Sequence, residues 1–374
     1  MCPSSSQPLD SPLHVLHVDP EHGYSGGEVQ VFLLIDGLLA RGWRCSLVAQ
    51  PDSPVARAGR ERGLTVIEVP IRGDLSFGAV RRLARAMREL QPDVVHCHTG
   101  RANWIGGLAA RAAGLPAVST RRMDRRVKRN AKNRWIYGSL LRRTAAISPA
   151  VLRALHEGGV PKERCELIWS VVDPRRLQAS RGREAMRSAL GIDPAALVLF
   201  AAGSLVERKG YDLLLRAMAQ AQVPGLQLVV AGEGPEGPAL ARLGAELGLR
   251  GNVTWLGRRE DMADLLGMAD GFAMPSRAEG LGIAAVEAMG AGLPVLASAV
   301  GGLADLVLPG RTGWLLPADD LAAWSAVLGQ FAADGAARRA LGEAGRERVQ
   351  SAFLPDPMVE AYLGFYRRAL KSTP

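Results

Sequence analysis

The sequence predicts an α/β protein built from two doubly wound, Rossmann-like domains facing a central cleft. Three observations lead there. The chain has 374 residues, long for a single hydrophobic core and ample for two. Short apolar runs alternate with amphipathic helical patterns from the beginning, as in a parallel sheet wrapped by helices. Midway the alternation stops in an arginine-rich stretch, SVVDPRRLQASRGREAMRSALGIDP, and then starts again.

The first series opens with the strand LHVLHV, Leu13 to Val18, followed by the glycine turn YSGGE and the helix VQVFLLIDGLLARG. CSLVAQ, LTVIEVP, a basic helix from Ala79 to Leu90, DVVHCH, AVST and AAISPA continue it. The second series opens with ALVLFAAGSL, Ala196 to Leu205, the loop ERKG and the helix YDLLLRAMAQA; LQLVVAGEG, VTWLG, GFAMPS, PVLAS and GWLLP follow. The boundary is expected between Ser170 and Arg187, giving domains over 1–175 and 176–374. The closing stretch PDPMVEAYLGFYRRALK reads as an amphipathic helix, 355–372, able to pack back on the first domain.

Composition narrows the function classes. Hydrophobic residues make up 48% and charged residues 22%, values of a globular chain rather than a disordered or fibrous one. A net charge of +9 favours an anionic partner: a nucleotide, a phosphorylated sugar, nucleic acid or an acidic membrane face. Cys2, Cys45, Cys97 and Cys165 are scattered, with no CxxC pair and no zinc-finger histidines, so the reduced cytosol is the expected compartment. The leading MCPSSSQPLDSPL lacks the basic start and apolar core of an export signal. The uncharged stretch Ala288 to Ala304 falls short of the ~20 residues of a membrane span and is broken by glycines and Pro294.

In open α/β sheets ligands gather beyond the carboxyl ends of strands, and there this chain keeps its unusual residues. SGGE follows the first strand, HCHTGRAN follows DVV, ERKG follows AAGSL, and RAEGLG follows FAMPS. A solvated turn could carry Arg208 and Lys209, but two adjacent cations with Gly203 can also hold a diphosphate. In AEGLGIAAVEAMGAG, Glu279 precedes a short helix and Glu287 lies about one and a half turns inside it, roughly 7 to 8 Å from its start. The backbone amides of Gly280, Leu281 and Gly282 form an anion site between the two carboxylates. An anionic middle flanked by hydroxyl-binding groups is the shape of a nucleotide sugar.

The combination of GSLVERKGYDLLLRAMA, VVAGEGP, PSRAEGLGIAAVEAMGAGLPVLAS and VGGLADLV resembles the retaining nucleotide-sugar glycosyltransferases of family four, with their GT-B fold. The resemblance implies that the first domain serves the acceptor and the second the donor. It implies that Arg208 and Lys209 neutralise the donor diphosphate, Glu287 holds the ribose hydroxyls and Glu279 the transferred sugar. It further implies that Gly26 and Gly27 admit the donor phosphate, that His98 stands beside the reacting sugar, and that the loop of Arg258 and Arg259 seats the base. His96 is expected to be structural. The mechanism implied is front-face attack with retention and no covalent nucleophile. No cofactor is expected beyond a UDP- or GDP-sugar co-substrate, and the lack of any D-x-D sequence points away from a metal.

One basic segment, Ser119 to Arg143, carries Arg121, Arg122, Arg125, Arg126 and Lys128 among Trp135, Ile136, Tyr137, Leu140 and Leu141. A solvated face would look similar, but cations mixed with aromatic and aliphatic residues also suit an anionic membrane surface or glycolipid acceptor. The expected role is therefore synthesis of a bacterial envelope polysaccharide or lipopolysaccharide, in the cytoplasm or peripherally on the inner membrane. Two alternatives stand beside transfer: a nucleotide-sugar epimerase of the same architecture, and a basic Rossmann protein binding nucleic acid, whose backbone the paired carboxylates would repel.

Overall fold

The computed structural model describes residues 12–371; Cys2 and most of the leading segment lie outside them, as does the last residue of the predicted final helix. The described chain divides into two compact units, residues 12–170 with 355–371 and residues 171–354. The division falls five residues before the expected 175/176 boundary, because Val171 and Val172 are already buried and the amide of Val172 donates to Phe353 O within the second unit.

The first unit is a seven-stranded parallel sheet: β1 (His14–Asp19), β2 (Arg44–Ala49), β3 (Thr65–Glu68), β4 (Val94–Cys97), β5 (Ala117–Arg121), β6 (Arg143–Ala146) and β7 (Cys165–Leu167). Its order is β3-β2-β1-β4-β5-β6-β7, so the order of winding reverses between β1 and β4. The strand β7 carries no apolar run and escaped the sequence reading. The run AAISPA is half strand and half helix start, since the Ser148 hydroxyl caps the helix Pro149–Glu157 by accepting from the Val151 amide. The glycine turn is likewise the first turn of the helix Gly26–Ala40, fixed by a capping box between Ser25 and Glu28.

The final helix, Pro355–Lys371, belongs to this unit. Its face of Met358, Val359, Tyr362, Leu363, Phe365 and Tyr366 is buried, and Val359 packs so closely that a Cβ on Gly37 would lie 2.3 Å from its Cγ2. Arg41 on the helix Gly26–Ala40 side pairs with Asp356 and Glu360 across the same seam.

The second unit repeats the plan with six parallel strands: β8 (Leu197–Ala202), β9 (Leu226–Ala231), β10 (Val253–Trp255), β11 (Gly271–Met274), β12 (Val295–Ser298) and β13 (Gly313–Leu316). The order β10-β9-β8-β11-β12-β13 puts its reversal between β8 and β11. Its core is built from β8 and β9 residues such as Leu199 and Leu228 packed with Leu214, Trp324 and Phe331. The arginine-rich connection contributes the helix Arg183–Ala189, whose buried Arg187 donates to Asp270 and to the carbonyls of Met268, Pro194 and Ala196. No described helix is long and apolar enough to cross a membrane.

Candidate active site

Both reversal points carry the predicted residues. In the second unit, Gly203 follows β8 and its carbonyl accepts from the Tyr211 hydroxyl at 3.3 Å. The loop continues through Arg208 and Lys209 to Gly210, which holds φ +66° and where a Cβ would lie 2.0 Å from Pro275 O. That contact presses the β8 loop against the loop after β11, where the Arg277 amide also donates to Arg208 O at 2.8 Å. As a result the buried Lys209 Nζ reaches Glu279 Oε2 at 2.5 Å, while Arg208, half exposed, stands 3.8 Å from the same oxygen. The two cations and Glu279, read separately in the sequence, form one cluster.

Beyond Glu279, Gly282 caps the helix Ile283–Gly290 in a left-handed conformation, with the buried Leu281 before it. Glu287, only 4% exposed, lies in the helix with Arg176 Nε 3.1 Å from its Oε1. Burial pushes the Glu287 carboxyl up to about 7, with Arg176 pulling it down and Asp173 adding to the rise. Arg176 was missed in the sequence because it lies a hundred residues away in the connection; it also lines a cavity of about 230 Å³ with Glu260 and Asp261. Arg259 is committed to Asp261, whereas the Arg258 side chain is exposed and its amide donates to Glu233 Oε1 at 3.2 Å.

In the first unit, the register of β1 against β4 sets His17 opposite His96. His98, just past β4, is buried, and its Nε2 lies 2.9 Å from His17 Nδ1. Arg122, just past β5, donates from Nη1 to His98 O at 3.0 Å and from Nη2 to His98 Nδ1 at 3.4 Å. A guanidinium can only donate, so His98 Nδ1 is an acceptor, His98 Nε2 carries the proton, and His17 Nδ1 accepts it. The chain of donors then ends on His17 Nε2, a buried N–H with no partner among the described residues. Burial first, with neighbouring positive groups, holds His17 at about 3 and His96 and His98 well below the usual histidine range, so all three rings are neutral.

His96 is held by Tyr366 Oη at 2.7 Å and Thr120 Oγ1 at 2.8 Å, and Thr120 is bonded in turn to the Tyr362 hydroxyl at 2.7 Å. Its ring lies 4.0 Å from that of His98, centroid to centroid. One ring nitrogen from each of the three histidines falls within 4.8 Å of the others. Four of the six nitrogens in the cluster are already in ring or hydroxyl hydrogen bonds, a fifth faces Arg122, and that guanidinium repels a cation. The donors fit a hydrogen-bond network better than a metal centre.

Asp19 ends β1 beside this network; burial, then Glu28, pushes its carboxyl up to about 7 against the pull of Arg122. Gly26 and Gly27 open the neighbouring helix, and a Cβ on Gly26 would meet nothing within 4 Å. Folding therefore does not require glycine at 26.

The basic segment needs correction. Arg121 and Arg122 turn inward, Arg121 to Tyr137 Oη and Arg125 O, and Arg122 to His98. Ile136, Tyr137, Leu140 and Leu141 are buried in the first unit's core, so they offer no membrane face. Arg125, Arg126 and Lys128 remain exposed, with Arg126 Nε donating to Glu157 O, and Trp135 is also exposed.

The second unit matches the family described as Glycosyl transferases group 1 over residues 182–348, and the first matches Glycosyltransferase Family 4 over residues 24–176. Among curated relatives, D-inositol 3-phosphate glycosyltransferase of Mycobacterium marinum is 30% identical over 365 residues, covering 86% of this chain and 76% of that protein. The enzyme of the same name from Streptomyces scabiei is 31% identical over 305 residues, covering 74% and 68%. Among solved structures, a glycosyltransferase from Rickettsia africae superposes with a TM-score of 0.89 at 17% identity, covering 97% of this chain and all of that one. Anabaena Alr3699/HepE in complex with UDP and glucose gives 0.83 at 21% identity, covering 94% and 98%. Two parallel α/β units of the GT-B kind, the E-x7-E pair at the second reversal point and these likenesses agree: the protein is a glycosyltransferase and belongs to family four.

Proposed function

We propose that the protein is a retaining, metal-independent hexosyltransferase that takes a sugar from a UDP- or GDP-sugar and places it on a hydroxyl of a glycan or glycolipid. The observation that carries this reading is the placement of Lys209, Glu279 and Glu287 around one helix start at the β8/β11 reversal. The HepE structures with UDP and UDP-glucose support a uridine donor.

In this reading Lys209 and Arg208 hold the diphosphate with the amides of Gly280, Leu281 and Gly282, and Gly203 gives the phosphates room. Glu287 binds the ribose, Glu279 the sugar, and the Arg258 loop seats the base. The family resemblance gives Gly26, Gly27 and His98 of the first unit donor-side roles as well. As the bond from the anomeric carbon to the phosphate oxygen breaks, charge grows on the leaving diphosphate, and the fixed cations and amides favour that state over the ground state. The acceptor oxygen bonds to the carbon on the same face, and its proton passes to the departing phosphate oxygen. No cofactor takes part.

The acceptor is assigned to envelope polysaccharide or lipopolysaccharide synthesis on the cytoplasmic side of the inner membrane. Neighbours in lipopolysaccharide synthesis support it. The relatives named for D-inositol 3-phosphate add phosphorylated polyols to the acceptors worth screening. The test is a thermal-shift and hydrolysis screen against UDP-, GDP-, ADP- and TDP-sugars with Glu287→Gln in parallel. One donor should stabilise the wild type and be slowly hydrolysed, both effects falling in the variant; no binding by any donor would sink the reading.

A further inference from the structure

The loop between β3 and the helix Phe77–Leu90 turns apolar side chains outward. Leu75 is 81% exposed and Phe77, the first residue of that helix, 65%. The loop is tied to two indoles: Trp104 Nε1 donates to Asp74 O at 2.9 Å, and the Trp135 ring stands edge-on to Trp104 at 5.5 Å. Lys132 closes the group, paired with Asp74 and lying 4.8 Å over the Trp104 ring. Segments distant in sequence thus hold one patch in which Leu75, Phe77 and the 40%-exposed Trp135 face solvent.

The surroundings say what covers it. The acid next to Leu75, Asp74, is already taken by Lys132. Exposed Arg72 lies in the same loop, exposed Arg134 adjoins Trp135, and exposed Arg81 lies one helical turn from Phe77. Aliphatic and phenyl tips, indoles behind them and a rim of arginines match the layering of a bilayer interface with anionic head groups. Nucleic acid would use the arginines but leave Leu75 and Phe77 in water. The segments after β3, β4 and β5 that carry the patch all leave the carboxyl edge of the sheet, the edge that also bears His98 and Arg122.

We propose that this patch, rather than the basic segment predicted from the sequence, is where the protein sits on an anionic phospholipid surface, with Leu75 and Phe77 entering the acyl boundary. It deepens the reading of a membrane-side acceptor and rests on that reading only for its purpose.

The experiment is co-sedimentation of the full chain with vesicles of phosphatidylglycerol and phosphatidylcholine, or of phosphatidylcholine alone, comparing wild type with Leu75→Glu/Phe77→Glu. Wild type should partition to the anionic vesicles, less so as salt rises, and the double variant should bind about a hundredfold more weakly. Both side chains face solvent, so the unfolding temperature should not move. Equal partitioning of the two proteins, or no wild-type binding to anionic vesicles, overturns the proposal. So does light scattering that shows a wild-type dimer abolished in the variant without vesicle binding, since the patch would then join two copies. Donor hydrolysis measured without vesicles keeps the two readings apart: it should match in both proteins, and its absence from both would count against the transferase reading while leaving vesicle binding intact.

Discussion

Replacing Glu287 by Gln keeps the shape of the side chain and removes its charge, and the buried setting fixes what should follow. The wild-type carboxyl titrates at about 7, so about a tenth is ionised at pH 6 and about nine tenths at pH 8. If ribose hydroxyls donate to the ionised form, wild-type affinity for the nucleotide sugar should rise about tenfold across that interval. Two charge-assisted bonds reduced to neutral ones cost about 2 kcal/mol, roughly thirtyfold at pH 8, and about threefold at pH 6, where most wild-type carboxyls are already protonated. Stability should move the other way. The folded carboxyl titrates above its unfolded value, so its contribution is full below about pH 4.5 and is lost as pH rises through about 7. Gln avoids that loss, worth up to about 3 kcal/mol at pH 8 less what Arg176 gives up with its partner. Isothermal titration with the donor and thermal unfolding, each at pH 6 and pH 8, read both effects. A binding gap equal at the two pH values, or binding and stability falling together, would refute the reasoning.

Further outcomes are expected. Lys209→Ala should lower the rate of donor turnover by about 100- to 1000-fold, the scale of removing one preorganised transition-state contact, as read by single-turnover hydrolysis. Gly26→Ala, with open space around its Cβ, should keep or raise the unfolding temperature, since alanine is the better helix former by up to about 1 kcal/mol; its donor affinity should fall, and unchanged affinity would remove Gly26 from the site. Tyr366→Phe leaves His96 Nδ1 without its hydroxyl and should cost about 1 to 3 kcal/mol in denaturant unfolding. Chelation with EDTA should leave the transfer rate unchanged, and a rate restored only by a divalent ion would overturn metal independence.

The sheets were legible because a parallel strand buried on both faces is apolar along most of its length, and β8 and, but for Gln227, β9 announce themselves that way. Edge strand β7, CEL, is only partly buried and sends no such signal. Glu279 and Glu287 were legible because charges are rare in that apolar stretch, but their partners were not. Lys209 and Arg176 reach them through tertiary packing across 70 and more than 100 residues. The basic segment misled because a helical apolar pattern gives a buried face without saying which way it points; Ile136 and Leu140 point into the core. The outward residues of the patch come from another loop, where two isolated apolar residues look ordinary in sequence.

The last helix completes the first unit, so the second unit, residues 171–354, is an uninterrupted insert within the chain while the first is spliced from two pieces. On the ribosome the order of completion is therefore inverted. The half begun first must wait, its His96 and Thr120 lacking the tyrosine hydroxyls that later fix them, until residues 355–371 emerge. A chain cut at residue 170 would carry that unfinished interior permanently, with the groove for Val359 and Phe365 open to water. Residues 171–354, by contrast, are one continuous stretch, and no piece of that unit waits for later synthesis.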